Sequence, residues 1–369
     1  MPAFQQKVLA IPPGAERPHR LEPGIVGGPD GFSAALHGDI LEFAGMPAGT
    51  SPALVLRVDA RQCELRLADG ATRTAGWRSR VFDRRGDDRV PIAVGDRVLL
   101  EEGADDLAVS EVLPRKNLFC RRGSGEDLNE RQLLAANVDQ VVVISSLAEP
   151  PFSSIAADRI LVACSFAGIP TRLVLNKVDL GTAEQLAAIQ ATYAAANVTV
   201  HATSAARGDG MSELQSAIGG RISVFYGLSG VGKSSLLNLL APGLNLATRA
   251  SSAALGSGRH TTSNSQLYEL PGGGGIIDTP GVRKFRPYGL PSAELRLHFP
   301  ELRAVESGCR FANCSHRTEP GCGLRESVAA GRVPESRFRS YLEILLELEA
   351  IHGGTGGEPP SGPDHKARR

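Results

Sequence analysis

The stretch "GLSGVGKSS" at residues 227–235 constrains the fold more than any other part of the chain. It fits the phosphate-loop pattern Gly-x-x-x-x-Gly-Lys-Ser/Thr, which works only between a strand and the start of a helix. Upstream, "RISVFY" reads as a buried strand. Downstream, "KSSLLNLL" reads as a helix that stops before Pro242-Gly243. Gly227, Gly230 and Gly232 let backbone N–H groups turn toward phosphate oxygens without Cβ clashes. Leu228, Ser229, Val231 and Ser235 complete the expected binding stretch. Lys233 is expected to reach the β- and γ-phosphates, and Ser234 to offer its hydroxyl to Mg²⁺.

The flanking texture agrees. "VDQVVVISS", "TRLVLNKVD", "VTVHATSA", "RISVFYG" and "GGIIDTPG" are near-continuous apolar runs, separated by helical stretches such as "AADRILVACSFAG" and "TAEQLAAIQATYAAA". This alternation predicts a mostly parallel sheet covered on both faces. Ligands of such sheets sit at the carboxyl ends of the strands.

"NKVD" at 176–179 ends one of those runs. Asp179 can accept from both N1–H and N2–H₂ of guanine, donors that adenine lacks, so the site is expected to choose GTP over ATP. Asn176 braces the loop, the Lys177 stem lies along the base, and Val178 completes the motif. "TSA" at 203–205 is expected to turn the N–H groups of Ser204 and Ala205 toward the guanine O6. These base-reading motifs precede the phosphate loop, the reverse of the order in most GTP-binding domains. A domain with adjacent termini can be cut elsewhere and rejoined. The order therefore predicts a circularly permuted P-loop GTPase domain.

"GRHTTS" and "DTPG" follow the phosphate loop. Asp278 at a strand end is expected to hold Mg²⁺, with Ser234 and either Thr261 or Thr262, and Gly281 to offer its N–H to the γ-phosphate. Val282 stands where many GTPases carry a water-orienting Gln. His260 is the candidate for that role, giving a predicted catalytic set of His260, Lys233 and Gly281.

Two further segments flank this domain. "ALVLRVDA", "CELRLAD", "RVLLEE" and "LAVSEVLP" are short strands broken by Asp-Gly and Gly-Asp; they predict a small β-barrel, OB-like or a sandwich. Trp77, Phe82 and nearby arginines suit RNA stacking. Near the other end, "CRFANCSHRTEPGC" supplies three thiolates and one imidazole from Cys309, Cys314, His316 and Cys322, a closed structural shell for one Zn²⁺. "PESRFRSYLEILLELEAIH" then predicts a helix with Phe338, Tyr341, Leu342, Leu345 and Leu348 on its packed face. The expected divisions are a flexible Pro/Gly-rich arm (1–47), the barrel (48–115), the GTPase domain (116–288), a zinc-binding helical domain (289–352) and a disordered tail (353–369). The formal net charge of zero excludes global attraction to polyanions, so any such surface is local. No stretch is apolar enough for a membrane span or a secretory leader, which predicts a cytoplasmic protein with no membrane partner. It is expected to act as a monomer.

In this order, "NKVD", "TSA", "GLSGVGKSS", "GRHTTS", "DTPG" and the Cys/His knuckle resemble the ribosome small-subunit-dependent GTPases of the bacterial RsgA (YjeQ) family, over roughly residues 48–350. The resemblance implies GTP hydrolysis to GDP stimulated by the 30S subunit, a role in its late maturation, and contact with 16S rRNA through barrel and zinc domain. Its arm is longer and less basic than the family pattern. A GTP-sensing, RNA-binding adaptor with negligible hydrolysis stays open because of Val282.

Overall fold

The computed structural model describes residues 50–83, 88, 90–102, 107–123, 130–242, 265–270, 273–279 and 285–354. All of the predicted N-terminal arm and all of the tail after Gly354 lie outside these residues.

Five strands form the barrel: β1 (Thr50–Val58), β2 (Cys63–Leu67), β3 (Thr72–Trp77), β4 (Arg97–Glu102) and β5 (Leu107–Val112). They close in the order β1-β2-β3-β5-β4, with β4 returning to β1. Closure removes the exposed edges of a small sheet. Sequence reading left barrel and sandwich open; the β1–β4 pairing decides for the OB-like barrel. Ala53, Val55, Cys63, Leu65, Val98, Leu100 and Val109 fill it. Trp77 packs against this core and is partly buried, so it does not stand free as a stacking surface.

A hairpin of β6 (Leu118–Arg122) and β7 (Arg131–Ala136) leads out of the barrel. It is tied back by Ala136 N–H donating to the Val94 carbonyl at 2.8 Å and by the Asn137 amide donating to the Gly95 carbonyl at 2.9 Å. Gly95 has φ +87°, and a Cβ there would stand 2.2 Å from the Ala136 oxygen.

The central sheet contains β8 (Gln140–Ser146), β9 (Thr171–Asn176), β10 (Val200–Ala202), β11 (Ile222–Gly227), β12 (Gln266–Glu269) and β13 (Gly275–Asp278). Its order is β10-β9-β8-β11-β13-β12; the first five are mutually parallel and β12 runs antiparallel to β13. The strand β12, which the alternation of apolar runs does not reveal, joins the sheet to the barrel: Gln266 pairs with Arg57 of β1, and Arg66 pairs with Glu269 at 3.1 Å. This junction explains why "ALVLRV" is continuously apolar. Ala53 and Val55 face the barrel core, whereas Leu54 and Leu56 face the core beneath the sheet. A strand buried on both faces has no polar side to alternate.

Helices α1 (Ser79–Asp83), α2 (Ser154–Phe166), α3 (Ala183–Ala194), α4 (Met211–Ile218) and α5 (Lys233–Leu240) connect these strands. A capping box between Thr182 and Gln185 starts α3. Helix α2 is buried on nearly every side: Ile160 and Leu161 face the sheet, and Val162 belongs to the C-terminal core.

The C-terminal part carries α6 (Pro300–Arg303), α7 (Gly323–Ala329) and α8 (Glu335–Gly354), with 3₁₀ turns at Ser292–His298 and Glu306–Gly308. The helix runs two residues beyond the expected start of the tail at 353. Tyr341, Leu345 and Leu348 of the predicted stripe are buried, Phe338 and Leu342 partly so, and Ile344 joins them fully buried. The domain is docked on α2. Buried Arg337 pairs with Asp158 of α2 and with Glu301 (Nε to Oε1 2.6 Å), and Arg159 pairs with Glu347 at 2.6 Å. The Arg337 guanidinium lies 4.6 Å from the Phe299 ring centroid.

Candidate nucleotide site and metal centre

Four of the predicted motifs end parallel strands on one side of the sheet: Asn176 closes β9, Ala202 precedes Thr203-Ser204-Ala205 after β10, Gly227 closes β11, and Asp278 closes β13. Parallel strands put these carboxyl ends on one rim.

The loop between β11 and α5 has φ +92° at both Gly230 and Gly232, a region that disfavours side chains. A Cβ on Gly227 would meet the Ile144 carbonyl oxygen at 2.5 Å, and one on Gly232 would meet the Asn176 amide nitrogen at 2.2 Å. The second contact reveals the organising residue. Buried Asn176 donates from Nδ2 to the Val231 carbonyl at 2.9 Å, while its Oδ1 accepts from Ala205 N–H at 3.1 Å and from the Thr203 hydroxyl at 3.3 Å. One side chain therefore ties all three loops together. Lys177 sits at φ +60°, and its ammonium donates to the Glu149 carbonyl.

Ser204 Oγ donates to Asp179 Oδ1 at 2.5 Å, and this bond holds the Asp179 carboxyl below its ordinary range. It fixes an ionised acceptor at the rim. The two amides expected to face a base are engaged inside the protein. Ser204 N–H donates to the Asp209 carbonyl at 3.0 Å, and Ala205 N–H donates to Asn176. Thr203, fully buried and not singled out in the sequence, supplies part of the loop's bracing.

At the phosphate end, Lys233 and Asp278 form an ion pair in which both side chains are mostly buried. Burial raises the Asp278 pKa, against the lowering effect of Lys233. Thr279, next in the chain, is anchored by its hydroxyl to the Phe225 carbonyl at 2.8 Å. The Asp278 carboxylate beside the phosphate-loop lysine offers oxygen ligands of the kind that a hard divalent cation takes. His260, Thr261, Thr262, Gly281 and Val282 lie outside the described residues.

The ligand atoms of Cys309, Cys314, His316 and Cys322 lie within 4.8 Å of one another. His316 Nδ1 is 3.5 Å from both the Cys309 and Cys322 sulfurs. A tetrahedral Zn²⁺ with ordinary Zn–S and Zn–N bonds separates sulfur and nitrogen by about 3.6 Å, so the spacing fits a metal. Sequence reading missed two supports. Gly308 and Gly323 touch backbone to backbone; a Cβ on Gly323 would stand 2.5 Å from the Gly308 carbonyl carbon. Glu319 accepts from Ser315 N–H (2.7 Å), Ser315 Oγ (2.6 Å), Arg317 N–H (2.9 Å) and Thr318 N–H (3.1 Å), and these bonds lower its pKa to about 2. The loop around His316 is thereby wrapped on one carboxylate.

The geometry has counterparts. The family model described as RsgA GTPase matches residues 112–287. A small ribosomal subunit biogenesis GTPase RsgA from Gemmatimonas aurantiaca is 43% identical over 260 residues, covering 70% of this chain and 84% of the relative. Its namesake from Chlorobaculum parvum is 38% identical over 269 residues, covering 70% and 86%. Among solved structures, YjeQ from Thermotoga maritima superposes with a TM-score of 0.62 at 30% identity, covering 81% of this chain and 98% of that one. YloQ, described as a circularly permuted GTPase, superposes with a TM-score of 0.58 at 24% identity, covering 84% and 98%, a likeness of fold. With the permuted strand order, the three-loop clamp on Asn176 and these relatives in agreement, the chain belongs to the RsgA GTPase family.

Proposed function

We propose that this chain is a GTPase that binds the 30S ribosomal subunit, assists its late maturation, and hydrolyses GTP to GDP and phosphate under stimulation by the subunit. The Asn176 clamp carries the reading: it joins a guanine-type loop, its partner loop and a phosphate loop into one site in the permuted chain. The names of the relatives, small ribosomal subunit biogenesis GTPase, supply the partner. They also disfavour the adaptor without hydrolysis.

In this reading Asn176, Lys177, Val178 and Asp179 select guanine, with Ser204 and Ala205 shaping the wall behind it. The amides of residues 227–232 and Lys233 hold the phosphates, with Ser234 and Ser235 at the helix start. Ser234, Asp278 and Thr261 or Thr262 would hold Mg²⁺, which when bound neutralises charge on the phosphates. Lys233 and Asp278 exchange their mutual pair for phosphate and cation. Gly281 donates its N–H to the γ-phosphate, and His260 orients water where Val282 cannot. Cys309, Cys314, His316 and Cys322 hold one structural Zn²⁺. The barrel and the C-terminal domain face 16S rRNA, and the working form is a cytoplasmic monomer. Among the described residues no helix is long and apolar enough to cross a membrane.

Sedimentation with purified 30S subunits tests the partner. Co-migration with 30S in the presence of a non-hydrolysable GTP analogue, and its loss on replacing the analogue with ATP, is the expected result. Equal co-migration without nucleotide or with 50S subunits would contradict it.

A further inference from the structure

Phe311 is 41% exposed, the aromatic side chain among the large apolar residues that the described surface leaves in solvent. It sits between two metal-ligand cysteines, beside exposed Ala312 and Asn313. The turn beneath it is closed on both sides: Arg310 N–H donates to the Gly321 carbonyl at 2.9 Å, and Cys314 N–H to the Phe311 carbonyl at 3.2 Å. The backbone that carries the ring is thus already ordered, which lowers the cost of binding a partner there. The Arg310 guanidinium lies 5.5 Å from its centroid.

The charge around the ring is not balanced. Arg296 is paired with Glu306, Arg317 with Glu349, and Arg337 is buried. Glu319 is spent on the knuckle loop. Arg303, Arg310 and Arg325 are exposed and have no carboxylate partner among the described residues, against the exposed Glu326. The fold brings together the backbone segments that carry these three arginines. Helix α6, bearing Arg303, runs into the 306–308 turn; Gly308 packs on Gly323 at the head of the helix that bears Arg325; Arg310 pairs with Gly321.

We propose that Phe311 and Arg310 form a stacking clamp for one unpaired base of single-stranded RNA, with Arg303 and Arg325 pairing the adjoining phosphates. This rests on the assembly-factor reading and names the RNA feature that the C-terminal domain takes. A flat ring beside a planar cation accepts any base face, and flanking arginines supply the backbone charge. Bases inside an A-form duplex are already stacked and cannot enter. A protein partner would need more apolar surface than one ring flanked by Arg310, Ala312 and Asn313 provides.

The test uses the full-length, metal-loaded chain and a short single-stranded RNA carrying 2-aminopurine. Wild type and Phe311→Tyr should quench the probe alike. Phe311→Leu should bind about 5- to 150-fold more weakly, the range for losing one stacked base, with metal content and RNA-free GTP turnover unchanged. Arg310→Lys, which keeps the charge without the planar face, should weaken binding in the same direction. The clamp is overturned if Phe311→Leu binds like wild type with its metal retained, or if a duplex competes as well as the single strand. Normal oligonucleotide binding by Phe311→Leu with lost 30S affinity would give the ring to a ribosomal protein and overturn it too. A chain that never binds 30S subunits refutes the assembly-factor reading, while the oligonucleotide measurement still decides the clamp.

Discussion

Arg337 joins the C-terminal domain to the GTPase domain, and its replacement by methionine should loosen that joint in a pH-dependent way. The guanidinium pairs with Asp158 and Glu301 and lies over Phe299, with Tyr193 also donating to Asp158 at 2.8 Å. Methionine keeps much of the volume and leaves two buried carboxylates without their cation. Removing one partner of a buried ion pair costs about 3–5 kcal/mol. Burial already raises the Asp158 pKa above its ordinary 3.8, despite Arg337 and its other hydrogen-bonding partners. Without Arg337 the pKa rises further. A carboxyl whose folded pKa is raised stabilises the folded state while protonated, and loses that contribution as pH climbs from the unfolded to the folded value. The deficit of Arg337→Met should therefore be largest near neutral pH and shrink toward pH 4. Urea denaturation at several pH values measures it, and Asp158→Asn in the same background should recover part of the loss. A deficit below about 1 kcal/mol, or one that does not change with pH, would refute the argument that buried charge holds this interface.

Other expectations follow from single contacts. Gly232→Ala places a methyl 2.2 Å from the Asn176 amide at φ +92°, so guanine nucleotide affinity measured by calorimetry should fall at least about tenfold and the melting temperature should drop with it. Asp179→Ala should weaken GTP binding by about 100-fold or more while leaving the weak binding of ATP unaltered, in a nucleotide competition assay. Cys322→Ser, or a strong chelator, should remove about one metal ion per chain by mass spectrometry and make residues near 309–322 sensitive to protease, while nucleotide binding persists. Glu319→Gln removes the charge that accepts from three backbone N–H groups and should weaken metal retention in a chelator titration by about 10-fold or more.

Much of the architecture could be read from residues because its motifs carry their own structural context. A phosphate loop demands a strand and a helix, and "NKVD" ahead of it demands permutation. Other features arise from contacts between distant segments and leave little local trace. The strand "QLYE" is too short to announce itself, and its importance lies in pairing with β1 of the barrel. Arg337 reads as one more charge on an amphipathic helix until Asp158, far away in sequence, closes on it. Gly323 looks like a loop residue, and only its backbone contact with Gly308 explains why it carries no side chain. Trp77 read as a stacking surface because a strand end and a loop look alike in sequence; its register beside Val109 turned it toward the barrel core. Asn176 was legible as a brace for its own loop, but its reach to Val231 depends on the parallel pairing of β8, β9 and β11.

The most direct test of the central claim is the rate of GTP hydrolysis by the purified chain with and without 30S subunits, with ATP as the control nucleotide. The account predicts slow intrinsic GTP turnover, strong stimulation by 30S subunits, and no comparable turnover of ATP. Flat, slow hydrolysis in both conditions, or ATP turnover equal to that of GTP, would contradict it.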